Sequence, residues 1–137
     1  MIRQIAFEGY SQDGWADIYL ADVTPKGATS RPQRLPIDDD LLYAEDSSWS
    51  PDGTEIAFNS RGDIYKTDVD TLEETRLTNG ADTEYSPTWS PDGEKIAYVR
   101  DTGNSTSLYV VGSDGSSSTL LREFTFGRLS PDWRELP

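Results

Sequence analysis

The chain contains no histidine and no cysteine. That removes Ser-His-Asp and Cys-His nucleophile systems, disulfides, and the usual ligands of zinc and copper. No glycine-rich loop of the phosphate-cradling kind is present. What remains is carboxylate chemistry: sixteen Asp and nine Glu face nine Arg and three Lys, for a formal net charge of −13. The carboxylates gather in two places. Asp38-Asp39-Asp40 with Glu45 and Asp46 forms one acidic stretch, and Asp82 and Glu84, beside Tyr85, form another at the matching point further on. Hard oxygen ligands of this kind suit Ca²⁺ or Mg²⁺. Their spacing matches no dedicated cation loop, so solvated acidic loops without a cofactor are the expectation. A carboxylate pair also serves glycoside hydrolysis, but nothing in the spacing selects one pair.

The charge narrows the partners. A field of this sign repels nucleic acid and anionic lipid and favours basic or polar protein segments. The excess acid has two readings: an ordinary solvated surface, or adaptation to high salt, where screening relieves self-repulsion. No apolar run approaches the roughly 20 residues of a membrane span, so membrane insertion is not expected. Met1-Ile2-Arg3-Gln4-Ile5 carries no signal-peptide core. The expected compartment is therefore the cytoplasm if Met1 is the native start, and the periplasm or outside if a leader has been removed.

Eleven Gly, eight Pro and 11% aromatic residues describe a turn-rich chain with a modest aromatic core. The aromatics speak against disorder. An internal repeat organises them. Trp49-Ser50-Pro51-Asp52-Gly53 recurs as Trp89-Ser90-Pro91-Asp92-Gly93, a step of 40, and a further 40 residues lead to Leu129-Ser130-Pro131-Asp132-Trp133. Pro presets φ at the second turn position, Asp tolerates the third, and Gly accepts the positive φ that follows. After the turn comes Ile-Ala-aromatic, as Ile56-Ala57-Phe58 and Ile96-Ala97-Tyr98, and the chain opens on the same triplet, Ile5-Ala6-Phe7. Two more strand signals follow in each copy: Asp17-Ile18-Tyr19, Asp63-Ile64-Tyr65 and Ser107-Leu108-Tyr109, then Arg34-Leu35, Arg76-Leu77 and Thr119-Leu120. Four short strands in about 40 residues is the period of a β-propeller blade. We label the strands A, which ends in the Trp, to D.

Together these motifs resemble the TolB-like, or WD-like Pro-Asp, β-propeller repeat. That repeat is also found in propellers attached to prolyl-oligopeptidase-type hydrolases. The resemblance implies an all-β fold of four-stranded blades in which Trp49, Pro51, Asp52, Gly53, Trp89, Pro91, Asp92 and Gly93 are structural, and a six-bladed ring. It implies protein interaction rather than catalysis. The separate α/β domain of TolB has no counterpart in the chain.

The reading as one half-propeller domain, residues 1–137, places blade one at 1–40, blade two at 41–80, blade three at 81–123 and a closing A strand at 124–137. The order B-C-D, A-B-C-D, A-B-C-D, A is incomplete in phase. Propellers usually have about four to eight blades, so a strand-exchanged homodimer with six blades is the expectation, with a fragment of a longer propeller as the alternative. The seam would join Phe124, Phe126, Leu129 and Trp133 to the partner's β edge, which in this numbering carries Ile2, Ile5 and Phe7. Ligand-binding loops are expected at Asp38, Asp39, Asp40, Tyr43, Glu45, Glu84 and Tyr85, with no catalytic residue and no metal ligand assigned. The functional expectation is a non-catalytic interaction scaffold for a protein or peptide, with a basic segment suited by charge complementarity. The rival is a small hydrolase or lactonase-like enzyme holding a divalent cation in the channel.

Overall fold

Residues 3–28, 30–38, 43–125 and 127–136 are described by a computed structural model. Among them lie three four-stranded antiparallel sheets and no helix, so no helix is long and apolar enough to cross a membrane. The first sheet comprises β1 (Arg3–Tyr10), β2 (Ala16–Thr24), β3 (Gly27–Ala28) and β4 (Gln33–Arg34), with β3 and β4 both paired to β2. The second runs β5 (Glu45–Trp49), β6 (Glu55–Ser60), β7 (Asp63–Asp68), β8 (Glu74–Arg76) in order. The third runs β9 (Thr83–Trp89), β10 (Lys95–Asp101), β11 (Thr106–Gly112), β12 (Thr119–Phe124) in order.

The Trp-Ser-Pro-Asp-Gly motif makes the A–B hairpin in both complete copies. The Gly53 N–H donates to Ser50 O and the Gly93 N–H to Ser90 O, each at 2.9 Å, with the glycines at φ 75° and 74°. The Asp carboxylate then ties the turn down: Asp52 Oδ1 accepts from the Ser50 hydroxyl and the Thr54 N–H. Asp92 Oδ1 does the same with Ser90 and Glu94.

Alternation along the B and C strands decides which side chains meet. Each blade carries one stacked aromatic pair across the B–C register: Phe7–Tyr19 at 5.9 Å, Phe58–Tyr65 at 5.9 Å and Tyr98–Tyr109 at 5.7 Å between centroids. This face, with the Ile two residues earlier, looks toward the preceding sheet; we call it the trailing face. The other, leading face carries the small residue and the branched C-strand residue. Ile56 and Phe58 pack against Ile18, Leu35, Ile37 and Ala44 of the sheet before. Ile96, Tyr98 and Trp89 pack against Ala57, Ile64 and Leu77. Two seams of one type hold three sheets together, and each fully buried apolar side chain contributes about 1.5–3 kcal/mol.

The third sheet departs from the other two at its D strand. β4 and β8 stop after two and three residues, at Arg34 and Arg76, whereas β12 runs for six. In the first two sheets the Arg pairs with the Asp that opens the C strand: Arg34 Nε to Asp17 at 2.9 Å and Arg76 to Asp63 at 2.6 Å. The next residue turns inward, with the Leu35 N–H on Ile18 O and the Leu77 N–H on Ile64 O, both at 2.8 Å. In the third sheet Ser107 and Leu120 occupy those Asp and Arg positions. There the strand continues to Phe124, with a bulge at Leu121 between the Tyr109–Leu120 and Leu108–Arg122 pairs.

Phe124, where the closing A strand is expected to begin, pairs with Thr106 as the end of β12, and residues 127–136 form no strand within the single chain. No B strand of a fourth sheet lies beside that segment among the described residues.

Candidate functional site

The B–C hairpins and D–A crossovers gather at one end of the sheets. Twice the crossover closes over the hairpin of its own blade by the same bond, the Ala44 N–H to Ala16 O at 3.1 Å and the Glu84 N–H to Gly62 O at 2.9 Å. At the same repeat position in the third sheet Phe124 pairs with Thr106 in the strand ladder, and a cleft of about 610 Å³ lies beside it. Glu45, Asp46, Tyr85, Asp101 and Arg128 supply its charged and aromatic lining, with Asn59, Asn104 and several hydroxyls around them.

The cleft is electrostatically uneven. Glu45 begins β5, and its carboxyl is pushed above the usual carboxylate range by burial and then by Glu8 and Asp46; Arg128 and Asn59 offset part of this. Burial and then Asp101 raise the Tyr85 phenol, against Arg128 and the Leu129 N–H. The Arg128 guanidinium stands 5.9 Å from the Tyr85 ring centroid, close enough for a cation–π attraction. Asp46 bridges blades, accepting from the Ser86 N–H at 3.1 Å and its hydroxyl at 3.2 Å.

Of the residues singled out from sequence, Glu45 and Tyr85 meet in this cleft. Tyr43 lies on the rim of the first blade, half exposed, with its ring edge-on to Trp15 at 4.7 Å. Asp38 sits apart, its N–H donating to Glu74 Oε1 at 2.7 Å. Asp39 and Asp40 lie outside the described residues. Glu84 is not a loop surface group: it is fully buried, because its Oε1 is held by Arg100 at 2.7 and 2.8 Å, and its Oε2 has no hydrogen-bond partner among the described residues. Arg128, Asp101 and Trp15 complete the rim and were not singled out. Trp15 carried a signal, as a tryptophan in a hairpin outside the Trp-Ser-Pro-Asp motif. Arg128 carried none, since its place follows from where β12 ends. No group of three or more acidic residues converges as a metal site among the described residues.

The expected seam residues divide the same way. Ile5 is 50% and Phe7 37% exposed, while their equivalents Ile56, Phe58, Ile96 and Tyr98 are all at 0%. Leu129 and Trp133 are half-buried against the third sheet. Ile2 and Phe126 lie outside the described residues.

No family model matches the chain. Among curated proteins, the Tol-Pal system protein TolB of Anaeromyxobacter dehalogenans is 39% identical over 93 residues, 63% of this chain and 20% of that protein. An uncharacterized protein of Agrobacterium fabrum is 34% identical over 89 residues, 62% of this chain and 29% of its own length. The putative TolB from Agrobacterium tumefaciens superposes with a TM-score of 0.77 at 28% identity, covering 90% of this chain and 44% of that one. The repeats are of the TolB-like β-propeller type. The chain thus spans less than a third of these curated relatives and less than half of that solved chain. An oligogalacturonate lyase in complex with manganese shares the fold, with a TM-score of 0.62 at 18% identity.

Proposed function

We propose that the protein is a non-catalytic interaction scaffold, a TolB-like propeller that presents its hairpin rim to a protein or peptide. The observation that carries this reading is the match of three successive sheets to TolB. The rim adds the chemistry: Glu45, Asp46 and Asp101 around one cleft, with Tyr85, Tyr43 and Trp15 as aromatic contacts, suit a segment bearing Arg or Lys. No cofactor is required. The test is titration of the purified chain with short basic peptides and charge-reversed controls. Saturable binding weakened by Glu45→Gln and by salt supports the reading; equal binding of acidic controls overturns it. A stoichiometric, EDTA-removable divalent ion would favour a carboxylate-based hydrolase instead.

The ring itself is proposed to be six-bladed and built from two copies of the chain. Support comes from the two unequal open faces. Among the described residues nothing covers the trailing face of the first sheet, with Ile5, Phe7 and Tyr19, and the leading face of the third sheet is of the type that covers such faces at both internal seams. Two copies related by a two-fold axis would bury both. Light scattering tests this: a monomer at all accessible concentrations sinks it.

A further inference from the structure

We propose that Trp133 stands in for the missing motif tryptophan of a fourth blade and forms the wedge on which a second copy's Ile5, Phe7 and Tyr19 dock; this rests on the two-chain ring above. At each internal seam a motif tryptophan lies on the leading face of the preceding sheet. Trp49 packs on the group around Ile18 and Leu35, and Trp89 on Ala57, Ile64 and Leu77. The third copy of the motif has Leu129 at that position and Trp133 where the turn glycine belongs.

The exchange has a geometric consequence. Gly53 and Gly93 need φ near 75°, and Trp133 does not adopt a positive φ. The hairpin is not made, and the chain carries the indole onward. Its Nε1 donates to Thr88 O of β9 at 3.1 Å. The ring then reaches a cavity of about 670 Å³ on the leading face of the third sheet, beside Val110 and Leu121. Trp133 thus covers the same kind of face as Trp49 and Trp89, reached from four residues further along.

The cover is partial. Register places Tyr19 opposite Arg34, Tyr65 opposite Arg76 and Tyr109 opposite Leu120. Leu121 is the next residue in sequence, as Leu35 and Leu77 are, but it forms a bulge between the Tyr109–Leu120 and Leu108–Arg122 pairs; Leu35 and Leu77 are 3% and 6% exposed, and Leu121 is 56% exposed. At both internal seams that space is filled by an Ile and a stacked aromatic pair from the next sheet. Among the described residues, the one such set without a cover is Ile5 with Phe7 and Tyr19. Continuity with two existing seams of the same construction makes a second copy the occupant.

The experiment uses the full chain labelled with 5-fluorotryptophan, read by ¹⁹F NMR and light scattering across the association range. Trp133→Phe assigns the resonance. The expected results are a Trp133 resonance that shifts between dilute and associated protein, and association weakened about tenfold or more by Trp133→Ala. Trp15→Phe, on the rim, should leave association unchanged. Undiminished association of Trp133→Ala, or a Trp133 resonance indifferent to association, overturns the wedge while leaving the two-chain ring standing. A wild-type monomer at every concentration overturns both. If Trp133→Ala fails to fold, the wild-type resonance decides alone.

Discussion

Asp46 and Ser86 occupy the same position in successive repeats, and the carboxylate of the first accepts both the N–H and the hydroxyl of the second, at 3.1 and 3.2 Å. Both residues have left-handed backbone, at φ 53° and 51°. Both lie where the A–B register slips, between Glu45 and Ser48 in β5 and opposite the Ala97–Val99 step in β9. Each A strand therefore bulges at its rim end, and the bulge frees an N–H that the ladder does not use. Asp46 satisfies the next blade's bulge from its own. Asp46→Ala leaves that N–H unpaired in a partly buried place, so unfolding in urea should show a loss of about 1–3 kcal/mol. Asp46→Asn keeps one acceptor and should lose less. An alanine variant of wild-type stability would show that solvent serves the Ser86 N–H equally well.

The Asp63–Arg76 pair gives a prediction the third blade already illustrates. Asp63 is almost wholly buried and also accepts from the Gly80 N–H at 3.3 Å, so it fixes both the D strand and the crossover. Removing Arg76 alone strands a buried carboxylate. Arg76→Leu should destabilise by about 1–3 kcal/mol, and adding Asp63→Ser should recover part of that loss, since charge and counter-charge leave together. Ser107 and Leu120 are that double replacement in the third sheet. Strict additivity in a double-mutant cycle would count against coupling.

The turn motif was legible because its chemistry is local: Ser, Pro, Asp and Gly act within five residues. The seams were legible from Ile-Ala-aromatic triplets because strand alternation is local too. The Asp–Arg pairs were visible only as two motifs, since nothing in one strand says which residue of another it faces. For the same reason Glu84 read as a loop acid while its carboxylate lies inside on Arg100. The path after Phe124 was unreadable because β12 runs on for want of an anchor, and an absent contact leaves no motif. β3, two residues long, rests on pairing with Val23 and Thr24 alone.

Stability should fall on acidification, with a known sign. Hydroxyl donation from Ser50 and Ser90 holds the Asp52 and Asp92 carboxyls below the usual range; N–H donation from Thr71 and Asp70 does so for Asp68. The Ser116 side chain lowers Asp114. A carboxyl with a depressed folded-state pKa binds fewer protons folded than unfolded. It stabilises above the ordinary carboxylate value of about 4, and that contribution is lost as pH falls through the lower folded values. Glu45 runs the other way, its raised pKa making deprotonation a cost as pH rises, but it is one group against four. Thermal melts from neutral pH downward should show Tm falling, and Asp52→Ala with Asp92→Ala should flatten the slope. A slope unchanged in the double variant would mean that these turns do not report on folding.

Phe58 and Phe7 are the same residue of the repeat in two environments, which makes the pair a probe of ring closure. Phe58 is closed off by the first sheet, whereas Phe7 has no sheet in front of it. Truncation of a buried Phe costs about 3–5 kcal/mol, so Phe58→Ala should be strongly destabilising at any protein concentration. In dilute protein Phe7→Ala removes only a side chain stacked on Tyr19 and open on its other side, and should cost far less. If a second copy covers that face, the cost of Phe7→Ala must rise with protein concentration, because the wild type gains stability from association by mass action and the variant gains less. Urea melts at two concentrations well apart read this directly. A Phe7→Ala penalty that stays small and independent of concentration, beside a large Phe58→Ala penalty, would leave the first sheet's face as solvent-exposed surface and remove the physical ground for the two-chain ring.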